Sequence, residues 1–213
     1  EAYDSYKQSQ KADSYFLGPV VFVKNDDKTM DIIDGQQRTT TIHILLWYLV
    51  TVMADSDEKT LIKRILLFVD REPRLRVSNR DSATFKLICS GATDFIGATP
   101  MIKAAKYFGD IVHKIDNPNL FSKFLREKTQ FIVIVAEDYA KAWDLFIGIN
   151  SKGVPLNPTD LVKAFVCGNS TIGERIGDIW EQKIHPLNEN STQFLLFLTR
   201  HRAKKFVSEN YLF

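Results

Sequence analysis

Apolar residues crowd the chain from Phe16 to Val23, give way at Asn25, Asp26 and Asp27, and return from Met30 to Ile33. Two runs rich in Val, Phe and Ile around a polar turn predict a β-hairpin. From about Gln37 to Met53 the pattern changes to a mostly apolar stretch, which predicts a deeply buried helix. Asp55 to Glu58 reads as a loop with a capped start, and Lys59 to Phe68 as the helix it opens. Arg71 to Val77 reads as a short extended piece after Pro73, and Asp81 as the cap of a helix reaching Cys89.

Small polar residues from Gly91 to Thr99 predict a loop, with helices following at Met101–Ile115 and Leu120–Glu127. Phe131 to Val135 carries no polar residue and reads as a buried strand that joins the hairpin's sheet. Tyr139 to Ile149 predicts a helix with Trp143 and Phe146 on its apolar face, stopped at Gly153. A further helix is expected to start near Asn157 or Thr159, and two amphipathic ones at Ile172–Lys183 and Thr192–Val207. Tyr3 to Lys11 is polar, helical or frayed. The implied fold class is α+β: a small mixed sheet with a hairpin, followed by a mostly helical C-terminal part. One domain over residues 1–213 is expected, its sheet-bearing front at about 12–100 and 129–136 and its helical part at about 101–213.

Composition narrows the class. With 45% hydrophobic and 25% charged residues, the 213-residue chain resembles an ordinary globular protein, and 15 phenylalanines suit a well-filled core. A net charge of +2 is too small to argue for nucleic acid. Cys89 and Cys167 are the only cysteines, so neither a thiolate metal cluster nor a disulfide framework is expected. No apolar run suits a membrane span and Glu1 to Asp4 does not resemble a secretion signal, so a cytoplasmic location is expected. The chain begins without Met and is expected to be a piece of a longer protein.

The densest chemistry lies where the hairpin meets the first long helix: Asp34, Gly35, Gln36, Gln37, Arg38, Thr39, Thr40 and Thr41. Gly35 permits a tight turn. The start of a helix leaves backbone N–H groups without helical partners, and its dipole favours an anion there. Arg38 adds a fixed cation whose planar fork suits phosphate. The glutamine amides can donate and accept. The same residues would also suit an ordinary helix start with Asp34 and Arg38 paired on the surface.

The run Asp34, Gly35, Gln36, Gln37, Arg38 after a strand resembles the signature of GmrSD-type N-terminal domains, found in modification-dependent restriction and phage-defence proteins of the ParB/sulfiredoxin-like superfamily. Two more stretches agree with it. Tyr15 to Val21 is similar to the family's first core strand. Ile147 to Leu156, followed by Asp160, Leu161, Val162 and Lys163, is similar to its second signature. Thr39 stands where the family commonly has Leu, and the family's upstream Tyr-Gln-Arg motif with a nearby Trp is missing.

The resemblance implies nucleotide binding and hydrolysis at this turn, regulating a DNA-cleaving partner. Arg38 would hold phosphates, and Asp34 would orient water or a metal, with Mg2+ the expected ion. Gly35, Gln36, Gln37, Thr39 and Thr40 would complete the nucleoside-triphosphate contacts. Asn150 and Lys152 would reach the ligand from a second side; without the resemblance, they are a helix stop and a solvated lysine. Asp160 and Lys163, three apart, suit a structural ion pair or a role in the site. DNA, possibly modified, and an HNH-type nuclease domain or subunit are the implied partners; no His-Asn-His motif is in this chain. A ParB-like module that senses DNA without hydrolysing nucleotide is the alternative, and a ParB-type nuclease a third.

Other candidates read as structural. His43, His113, His185 and His201 lack metal-ligand spacing; His43 suits a buried, hydrogen-bonded role and His185 a turn before Pro186. Tyr107 and Phe108 suit core packing. The basic run Arg200, His201, Arg202, Lys204 and Lys205 suits a solvated helix face more than a nucleic-acid contact.

Overall fold

The computed structural model describes residues 14–67, 71–150, 159, 162–163, 166 and 173–203. Its elements run β1 (Tyr15–Lys24), β2 (Met30–Asp34), α1 (Gln36–Val52), α2 (Asp57–Leu66), α3 (Asn79–Cys89), α4 (Pro100–Ile111), α5 (Pro118–Lys128), β3 (Thr129–Ala136), α6 (Tyr139–Asn150), α7 (Gly173–Lys183) and α8 (Ser191–Ala203). Short 3-10 turns follow α4 at Val112–Lys114 and precede α8 at His185–Asn190. This is the α+β fold expected, with a three-stranded sheet in the order β2-β1-β3. The chain divides into two compact units: Glu1–Gly18 with Gly35–Ile132, and Pro19–Asp34 with Val133–Phe213.

The first unit is built around the second half of α1. Ile44, Tyr48 and Leu49 are almost fully buried there, among Ile62 and Leu66 of α2, Ile88 of α3, Ala105 of α4 and Phe121 of α5. The Tyr48 hydroxyl donates to the Ala92 carbonyl oxygen, so the aromatic ring is buried with its polar tip satisfied. The first turn of α1 differs: Gln36 and Gln37 are exposed and Arg38, Thr39 and Thr40 half-buried. Burial therefore belongs to the far half of this helix.

The surrounding helices start where side chains cap them. Ser56 accepts from the Lys59 N–H at 3.2 Å, with Asp57 and Glu58 in the first turn of α2 favouring its dipole. Thr99 and Asn117 cap α4 and α5, each followed by a proline whose missing N–H costs nothing in the first turn. These pairs start both helices ahead of their first apolar residues. Asp81 corrects its expected role. Ser78 holds the N-cap position of α3, and its hydroxyl donates to Asp81 Oδ2 at 3.0 Å, so Asp81 is a first-turn residue.

In the second unit, β1 and β2 pair antiparallel: Lys24 faces Met30, Val23 faces Asp31, Phe22 faces Ile32 and Val21 faces Asp34. Ile33 is thus the extra residue of a bulge opposite the Val21–Phe22 step. Asp27 Oδ1 accepts from the Thr29 N–H at 2.9 Å and closes the hairpin turn, where Lys28 takes a positive φ of 69°. Val21, Val23, Ala136 and Ala142 form a small core, with Ile33, Ile134 and Ile149 against it.

β3 corrects the expectation of a buried strand. Val133 and Val135 are 62% and 54% exposed, while Ile134 and Ala136 turn inward. The strand stands at the end of the sheet order and covers one face only, so apolar composition overstated its burial. Farther along, the Thr159 hydroxyl lies 3.0 Å from both Ser191 Oγ and Thr192 Oγ1 at the start of α8, and Thr159 and Ser191 are buried. Among the described residues no helix is long and apolar enough to cross a membrane.

Candidate functional site

Gly35 carries the chain from β2 into α1. It is buried and left-handed, with φ 88° and ψ 7°, a conformation that costs a residue with a Cβ. It occupies the N-cap position and can offer no side-chain cap, and the first turn of α1 has no acidic residue. The Gly35 carbonyl oxygen accepts twice from Thr39, from its N–H at 2.9 Å and from its hydroxyl at 3.0 Å. The Thr39 hydroxyl is thus turned back along the helix instead of capping an N–H group. The helix dipole is left without a first-turn carboxylate to offset it, which favours an incoming anion.

Arg38 is held by the backbone of β1. Its Nη1 donates to the Leu17 carbonyl oxygen at 3.1 Å. Gly18 follows with φ +97°, and a Cβ built there would stand 2.4 Å from the same nitrogen. The guanidinium therefore lies where a side chain at position 18 would be. Sequence reasoning recognised the Arg38 turn and missed Gly18. The signal was available, since an isolated glycine inside a strand often marks close approach of another group.

His43 sits one turn after Thr39 and places Nδ1 3.1 Å from the Thr39 carbonyl oxygen. A carbonyl can only accept, so Nδ1 carries the proton and a neutral ring leaves Nε2 as the acceptor. Burial pulls its pKa below the ordinary histidine value, and the hydrogen bond to Thr39 partly opposes this. This matches the hydrogen-bonded role expected of it.

Asp34 ends β2 opposite Val21. Asn150 is the last residue of α6. Lys152, Gly153 and Asp160, with most of the second signature, lie outside the described residues, as do Tyr3 to Lys11, Cys167 and the basic run beyond Ala203. Among the described residues, no three His, Cys, Asp or Glu side chains come together as a metal cage.

Comparison with protein families matches residues 3–167 to the model described as GmrSD restriction endonuclease, N-terminal domain. No curated protein matches the chain.

Proposed function

The chain belongs to the family of GmrSD restriction endonuclease N-terminal domains, and from that premise we propose that it binds a nucleoside triphosphate at the Asp34–Arg38 turn and hydrolyses it. The observation that carries this reading is a helix start whose N-cap, Gly35, offers no side chain, beside an arginine tied to β1. Backbone dipole and guanidinium together favour a polyanion. The exposed amides of Gln36 and Gln37 suit its oxygens or its sugar.

Mg2+ would neutralise charge on the phosphates. This ion takes one or two carboxylates and otherwise phosphate oxygens and water, so the single carboxylate of Asp34 fits it without a protein cage. Arg38 would hold the phosphates in place, and Asp34 would also orient the attacking water. Nucleotide state would then regulate a DNA-cleaving HNH-type domain or subunit.

A second reading rests on the same exposed glutamines at the helix start: a DNA backbone phosphate would take the place proposed for the nucleotide phosphate. Thermal shift separates the two. Each Mg·NTP, plain duplex DNA and modified duplex DNA are compared on the wild-type chain and on Arg38→Ala. Stabilisation by one nucleotide, abolished in Arg38→Ala, supports the first reading. Stabilisation by DNA alone replaces it with the second. Phosphate release lost in Asp34→Ala with binding retained assigns Asp34 to hydrolysis.

A further inference from the structure

Gly18 interrupts β1 with a backbone conformation that side-chain-bearing residues rarely adopt, φ +97°. Its missing Cβ leaves the space that the Arg38 guanidinium fills: the built Cβ lies 2.4 Å from Nη1 and 3.6 Å from Cζ. The neighbouring Leu17 carbonyl oxygen accepts from that same Nη1 at 3.1 Å. One peptide of β1 thus supplies both the acceptor and the vacant space. Leu17, Gly18 and Arg38 all belong to the first compact unit.

We infer that Gly18 is a positioning residue, which sets the Arg38 guanidinium against the β1 backbone and so aims it for phosphate. The aiming for phosphate rests on the function proposed above; the seating of the guanidinium does not. A methyl group at position 18 meets the far end of a flexible side chain and displaces it, and φ +97° strains any residue with a Cβ besides. The substituted protein is expected to be less stable and to lose the placement of its cation. An arginine displaced from its seat on Leu17 must then be brought back into place by the ligand itself, which weakens binding.

The test uses Gly18→Ala, Arg38→Ala and the double variant. The Arg38 Nε–Hε signal, assigned by its loss in Arg38→Ala, reports the guanidinium without any ligand. It is expected to move and broaden in Gly18→Ala. Titration with each Mg·NTP is expected to show affinity about tenfold weaker in Gly18→Ala, the loss of one charge-assisted contact. The double variant should bind no more weakly than Arg38→Ala alone, because Gly18 acts through that arginine. An unmoved signal, or losses that add in the double variant, overturns the proposal. If the wild-type chain binds no nucleotide, the proposed function fails and the Arg38 signal alone decides the positioning claim. Should Gly18→Ala fail to fold, a folded double variant supports the clash with Arg38. Failure of both shows that the glycine serves the backbone only, and overturns it.

Discussion

His43 reaches back along α1 to the Thr39 carbonyl oxygen, 3.1 Å from its Nδ1, and Thr39 in turn donates to Gly35. The first turn of the helix is thereby linked to a titratable group. Its pKa is lowered by burial, so the folded chain binds this proton less readily than the unfolded chain. Stability from the neutral ring is full above the unfolded value of about 6.5 and is lost as pH falls below it. The melting temperature should therefore drop as pH falls below about 6.5. His43→Asn keeps a donor at the same depth and cannot be charged, and should show a shallower drop. Equal slopes for the two proteins would remove His43 as the cause.

How far the chain announced this arrangement depends on the range of the interactions. The turn at Gly35 and the arginine three residues later are local, and both were readable. The capped start at Ser56 was readable too, whereas the starts that Thr99 and Asn117 cap lie one and two residues ahead of the expected Met101 and Leu120, because the apolar pattern begins only inside each helix. The seat of Arg38 on Leu17 crosses 21 positions: Gly18 marks a close approach, but no local pattern says which group makes it. β3 failed for a related reason: the run Phe131 to Val135 states that its side chains are apolar, not that both faces are covered. Asp81 was misassigned because Ser78, three residues earlier, competes for the same cap.

Glu58 joins α2 to α5 by accepting from Ser122 Oγ at 3.3 Å and from Arg126 Nη2 at 3.1 Å. The hydrogen bond to Glu58 raises the Arg126 pKa, with Glu127 adding to it. The two partners differ in burial: Ser122 is fully buried and Arg126 stands at the surface. Removing Arg126 breaks a solvent-screened pair, whereas removing Glu58 also strands a buried hydroxyl. Arg126→Ala should cost about 0.5 kcal/mol and diminish further in salt. Glu58→Ala should cost about 1–3 kcal/mol, because an unmatched buried donor bears its desolvation in full. Urea unfolding of both variants checks the order. The reverse order would mean that the ion pair, not the serine, carries the contact.

Cys89 ends α3 beside the core of the first unit, and burial pushes its thiol up to about 12. The thiolate is the reactive form, so at pH 8 almost none is present in the folded chain. Iodoacetamide should label the Cys89 peptide slowly under native conditions and readily in denaturant, as read by mass spectrometry. Fast native labelling would show that the helix end opens.

Two glycines should answer alanine with opposite signs. Gly35 is buried at φ 88°, where a methyl group meets the preceding backbone whatever the surrounding space. Gly35→Ala should cost about 1–2 kcal/mol from this conformation alone. It should also disturb the start of α1, weakening any ligand that depends on the first-turn N–H groups. Gly148 lies inside α6 in ordinary helical geometry, and a built Cβ meets nothing within 4 Å. There alanine only reduces the freedom of the unfolded chain, so Gly148→Ala should stabilise by about 0.5–1 kcal/mol. Urea midpoints of the two variants moving in opposite directions would support the left-handed turn at Gly35. A neutral Gly35→Ala would mean that the chain enters α1 by a different backbone path, one that does not present the helix start as described.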